Sequence, residues 1–139
     1  MLSGILLSLL ITLQIPNHGI ETNLQEGCSQ AIVNQKDKAA IYNSEVYGIG
    51  DAIVIADHNN QDFSTLKYVE VGDEAYISTE EDVITLRCIE VCEGQLDSIG
   101  YILVDGDYME NRYDDCIIMY TCMKKKGHRV VTYWEVVEW

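Results

Sequence analysis

After residue 30 no stretch of this chain keeps an apolar 3.6-residue period; short β-type runs recur instead, each closed by a turn signal. The runs read as 31–33, 39–42, 52–56, 74–79, 83–91, 101–104, 116–122 and 129–137. Between them lie Asn34–Lys38, Tyr47-Gly-Ile-Gly-Asp51, Asn59–Asp62, Val71-Gly-Asp73, Thr79–Asp82 and Glu93-Gly94. Nine tyrosines against a single proline, with many Val, Ile and Thr, strengthen the β reading. One helical turn is expected at Phe63–Tyr68, capped by Asp62, with Phe63 and Leu66 packing inward at i, i+3. About eight short strands in a mostly all-β chain imply a barrel or a sandwich. With 139 residues, 47% of them hydrophobic, the chain fits one domain with a real core.

The start of the chain leaves three readings open. Residues 1–15 are apolar and of signal-sequence length, yet lack the Lys or Arg of a signal peptide's start and fall short of the roughly 20 residues that span a bilayer. They read as an export signal, as the stub of a membrane anchor that would associate the protein with a membrane, or as the lead-in to a first strand. Pro16 ends whatever precedes it, and residues 17–30 read as polar and broken by Gly19 and Gly27. The single domain is then 16–139.

A net charge of −14 argues against a nucleic-acid binder, which needs a basic face for phosphates. The one cationic cluster, Lys124, Lys125, Lys126, His128 and Arg129, suits a peptide carboxylate or an oxyanion. That cluster follows Cys122. The run Ile117–Tyr120 delivers Thr121 and Cys122 to a strand end, and positive charge beside a cysteine favours the thiolate, so Cys122 is a candidate nucleophile. Of the three histidines, His58 ends the most apolar run, Ala52-Ile-Val-Ile-Ala-Asp-His58, and so is also set at a strand end. A Cys, a His and an Arg in such places fit acyl transfer through a thioester.

These residues carry a resemblance. Ile118-Met-Tyr-Thr-Cys122 resembles the Thr-Leu-x-Thr-Cys strand of sortases, the cysteine transpeptidases of Gram-positive cell surfaces, and Arg129-Val-Val-Thr132 resembles their Arg-bearing last strand. Ile55-Ala-Asp-His58, followed by Phe63, Leu66 and Val71-Gly-Asp73, is similar to the family's catalytic-His strand and the segment after it. Leu13-Gln-Ile-Pro16 with Gly19-Ile20 looks like the opening strand. The resemblance runs from about residue 11 to 137, and order and spacing carry it more than any one piece.

It implies a sortase-like closed β-barrel and a site of Cys122, His58 and Arg129, supported by Thr121; Asp57, beside His58, reads as a further support or as the mark of a subgroup. Cys122 would attack a backbone carbonyl of a sorting-signal peptide, Arg129 would stabilise the oxyanion, and His58 would protonate the departing amine. A cell-wall cross-bridge or pilin lysine would resolve the thioester, outside the cytoplasm, with no cofactor. Two departures stand out. Asp57 takes a place where many sortases have glycine, and only six residues separate Cys122 from Arg129.

Each signal also has a plainer reading. Cys122 can be a buried core thiol, His58 a loop residue capping a carbonyl, and Arg129 an edge charge. A non-catalytic surface or phage-associated barrel, or a hydrolytic cysteine protease, would use the same frame. The acidic run 105–115 holds the carboxylates of a Ca²⁺ loop, but Asp105-x-Asp107 continues with Met109 and does not complete an EF-hand, so a solvated loop is expected. A zinc site from Cys88, Cys92, Cys116 and His128 lacks any Cys-x-x-Cys knuckle. Five cysteines leave one over if the others pair. Cys88 and Cys92, four apart in one strand, should share a face roughly 13 Å apart, beyond bonding distance.

Overall fold

A computed structural model describes residues 10–27, 38–58 and 63–139. Its strands are β1 (Ile11–Ile15), β2 (Ile20–Glu26), β3 (Lys38–Asn43), β4 (Ile53–Ala56), β5 (Glu74–Ser78), β6 (Val83–Leu96), β7 (Ile102–Val104), β8 (Asp107–Tyr108), β9 (Ile117–Cys122) and β10 (His128–Glu138). Neighbours run β10-β9-β4-β3-β2-β1-β5-β6, and β6 pairs back onto β10. Among the described residues this makes a closed barrel of eight strands, and β7 and β8 extend from the outer part of β6. The expected closed β-barrel of about eight strands is therefore present. Its helical content there is short 3₁₀ turns, including Leu66–Tyr68 inside the expected turn, with Phe63 and Leu66 both fully buried.

The core has two layers. Leu13, Ile41, Ile55, Ile77, Leu86, Met119 and Trp134 fill the barrel. The alternate residues of β4, β9 and β10, among them Val54, Ile118, Val131 and Tyr133, form a second layer outside, covered by Ile102, Val104, Met109 and Cys116 from the 97–116 excursion. This is why Ile53-Val-Ile-Ala56 and Ile117-Ile-Met119 show no polar alternation: strands buried on both faces read as continuous apolar runs. Each fully buried Ile, Leu or Phe contributes roughly 1.5–3 kcal/mol.

Three sequence expectations change. Residues 20–26, read as polar, are β2, with Ile20, Thr22 and Leu24 turned inward and the tight turn at Pro16–His18 pairing Ile15 with Ile20. Strand β6 runs past Glu93-Gly94 to Leu96. Gly94 is needed there because a Cβ would lie 2.6 Å from Ile102 Cγ2 and 3.0 Å from Val131 Cγ2. Finally, Cys88 and Cys92 do not share a face. The ladder pairs Tyr133 with Glu90 but Trp134 with Cys88, so Ile89 is an extra residue, a β-bulge that inverts the alternation. Cys88 joins Trp134 in the barrel while Cys92 packs on the outer layer. The run 31–33, the cap Asp62 and Cys28 lie outside the described residues.

Among the described residues no helix is long and apolar enough to cross a membrane.

Candidate active site

Cys122 is the last residue of β9 and stands directly opposite Arg129 in the antiparallel β9–β10 ladder. Residues opposite one another in a ladder project to the same face, so thiol and guanidinium leave the barrel together. On the other side of β9 runs β4, parallel to it, with Ala56 opposite Tyr120 as the last registered pair. His58 lies two residues past Ala56 and Cys122 two past Tyr120, so strand pairing brings the chain of each to the same level. Cys122 and Arg129, on adjacent strands, thus lie at the barrel end toward which β4 leads the chain to His58.

Thr121 and Asp57 lie beneath them. Thr121 is 2% exposed and Asp57 3%. The Thr121 hydroxyl donates to the Asp57 carbonyl (2.7 Å), and Asp57 Oδ1 accepts the backbone N–H of His58 (2.8 Å). Asp57 in place of glycine therefore fixes the backbone from which the imidazole springs. The short loop after Cys122 is closed by Met123 N–H to His128 O (3.0 Å) and His128 N–H to Lys125 O (3.1 Å), and Leu96 N–H donates to Gly127 O (2.8 Å). Arg129 donates one N–H to its neighbour's carbonyl, His128 O (3.0 Å). A guanidinium has five N–H donors in all.

The other two histidines are engaged elsewhere. His128 Nδ1 lies 2.7 Å from Glu93 Oε2, and His18 Nε2 lies 2.6 Å from Asp73 Oδ2. Asp73 also accepts from the Glu70 backbone N–H (2.9 Å), and Thr65 donates its hydroxyl to His18 O (2.7 Å), so the Gly-Asp segment clamps the β1–β2 turn. Burial pushes the thiols of Cys88, Cys92 and Cys116 up to about 11, which keeps them protonated at neutral pH. Among the described residues no three His, Cys, Asp or Glu gather to hold a metal ion. In the acidic run, Asp105 pairs with Arg112 (2.8 Å), and Asp107 accepts the Tyr108 backbone N–H (2.7 Å).

Two hollows open along β9, one at Cys122 and one at Tyr120. One, of about 600 Å³, is mostly apolar and lined by Phe63, Cys122, Met123 and Val130, with Lys67, Lys124 and Lys125 around it. The other, of about 210 Å³, lies on the outer face of β3, β4 and β9 and is lined by Ala40, Tyr42, Ala56, Tyr101, Glu110 and Tyr120.

The description of the sortase domain matches residues 13–137 of this chain. The chain belongs to the sortase family. Solved sortases share its fold at low identity. Sortase E1 from Streptomyces coelicolor, with a tripeptide in its active site, is 16% identical at a TM-score of 0.72, over 93% of this chain and 88% of that one. Sortase A from Corynebacterium diphtheriae, a lid mutant, is 17% identical at 0.70, over 94% and 70%. A Clostridium perfringens sortase D5 transpeptidase is 18% identical at 0.68, over 93% and 79%. No curated protein matches the chain.

In this sortase, sequence reasoning passed over Tyr120, although Ile118, Tyr120 and Cys122 alternate onto one face of β9. It also passed over Glu110, which had no local signal because an excursion of the chain brings it to the hollow.

Proposed function

We infer that this chain is a cysteine transpeptidase acting outside the cytoplasm on sorting-signal peptides. The observation that carries the reading is the direct pairing of Cys122 with Arg129, beside the parallel strand that leads to His58. The Cys122 sulfur attacks a backbone carbonyl, and the oxyanion that develops draws N–H donors from Arg129, a permanently charged fork suited to that task. Collapse breaks the C–N bond as His58 gives its proton to the departing amine, leaving a thioester. An incoming amine, such as a cross-bridge or pilin lysine, loses its proton to His58, attacks the thioester and restores the thiolate. Donor and acceptor are thereby joined by an amide, and no metal or organic cofactor is needed. The apolar hollow opens at Cys122.

The test is intact-mass labelling of the folded protein with a mild thiol-directed probe, followed by sorting peptides offered with amine acceptors. Labelling confined to Cys122, a thioester adduct on it and an amide-linked product support the reading. Arg129→Lys should then lower turnover roughly 10²–10³-fold, as loss of an oxyanion donor does elsewhere. A folded protein whose Cys122 stays unlabelled would overturn it in favour of an inert barrel. Hydrolysed peptide with no amide product would point to a protease.

A further inference from the structure

Beside the β9 end, the hollow of about 210 Å³ has a floor of small residues, Ala40 and Ala56, and tyrosine walls, Tyr42, Tyr47 and Tyr101. Its one acidic lining residue is Glu110, only 8% exposed, which also lines a second hollow with Asp51, Asp114 and Asp115. Among the described residues no Lys, Arg or His forms an ion pair with it. Burying a carboxylate without a counter-charge is unfavourable, and desolvation pushes its pKa up. An acid without a cationic partner in an aromatic recess is therefore a place where an arriving cation gains twice, from the carboxylate and from ring faces.

The acid is held firmly. Glu110 sits in the 3₁₀ turn Met109–Asn111, whose Met109 carbonyl accepts the Tyr133 hydroxyl (2.9 Å). Next to it Arg112 grips both Glu90 oxygens (2.6 and 2.7 Å) and Asp105 (2.8 Å), and Tyr113 donates to Glu90 (2.8 Å). Gly50, at φ +60, lets the backbone pass so close that a Cβ there would lie 3.0 Å from Glu110 O.

We propose that Glu110 makes this sortase selective for donor peptides with a cationic side chain two or three residues before the scissile carbonyl. The proposal rests on the transpeptidase reading above. The spacing is taken from the recess wall: Tyr120 lines it and precedes Cys122 by two residues on the same face of β9, about 6.6 Å along the strand, and an extended peptide laid along β9 advances about 3.3 Å per residue. Charge also fixes direction. The recess is acidic, whereas the hollow lined by Cys122 itself carries Lys67, Lys124 and Lys125. A donor with its cation in the recess cannot reverse without setting that cation among lysines.

The test uses acetylated peptides randomised before the cleaved bond, with lysine, arginine and the neutral isostere norleucine equally represented. Hydroxylamine is the acceptor, and the hydroxamate products are sequenced by mass spectrometry. Wild type should yield products enriched at least tenfold in Lys or Arg over norleucine two or three residues before the new terminus. Glu110→Gln should bring that ratio near one, and Glu110→Lys should shift it toward Asp and Glu. Equal yields with wild type, or an unchanged ratio in Glu110→Gln, overturn the proposal. Absence of hydroxamate from every peptide would instead count against the transpeptidase reading. The same library bound to immobilised wild-type protein then decides the recess alone: enrichment of cationic peptides supports it and no enrichment overturns it.

Discussion

The hydroxyl of Thr121 donates to the backbone carbonyl of Asp57 across 2.7 Å, between residues 64 apart in sequence. It ties the strand of Cys122 to the strand of His58 one residue before either side chain leaves the barrel. On the transpeptidase reading, Thr121 acts as a positioning residue. Thr121→Val should lower turnover about tenfold or more through misplacement of the pair, and stability by about 1–2 kcal/mol for an unsatisfied buried carbonyl. Thr121→Ser should restore both. Steady-state kinetics beside urea melts separates the two effects, and a Val variant as active as wild type would refute the role.

Acid should loosen the clamp at Asp73. The Glu70 backbone N–H, and then the His18 and Asn17 side chains, hold the Asp73 carboxyl below the usual carboxylate range. A depressed folded-state value contributes stability above the unfolded pKa of about 3.9 and loses it as pH falls through the lower, folded value. Asp73→Asn should melt below wild type at pH 6–7, and the gap should close on acidification below about pH 4. Melting curves from pH 3 to 7 read this directly, and a gap that widens toward acid would contradict it.

In a Cys28→Ser background, iodoacetamide at pH 7.5 should modify Cys122 alone. The other three thiols are held up to about 11 by burial. Peptide mapping should find Cys88, Cys92 and Cys116 labelled only after denaturation. Modification of any of them at the rate of Cys122 would disprove the assignment.

Gly94→Ala should destabilise the barrel by about 1–3 kcal/mol, the usual penalty for overpacking, because the new methyl meets Ile102 and Val131. The strain falls where the excursion crosses β6. Chemical denaturation measures it, and a neutral result would mean that the excursion yields freely.

Strands were legible where the residue pattern is extreme. The doubly buried runs 53–56 and 117–119 are apolar throughout, and β10 is β-rich over its whole length. Strand β2 was hidden because Thr22, at an inward position, and the polar residues around it make Ile20–Glu26 read as a loop. The last five residues of β6, Cys92–Leu96, were hidden because Glu93-Gly94 reads as a turn, and the face of Cys92 was hidden by the bulge at Ile89. In the site, Cys122 and Arg129 were readable because a short loop joins their strands. The level of His58 with Cys122 rests on a parallel pairing of distant segments, which no local pattern records and which only the family resemblance anticipated. Glu110 left no trace in the sequence, since an acidic residue in an acidic loop looks solvated.

Because β10 both faces β9 and seals the barrel against β6, Cys122 acquires its guanidinium neighbour at the moment the wall is completed. On the transpeptidase reading, the donor that steadies the oxyanion and the strand that seals the wall are one element, so whatever loosens β10 removes both at once.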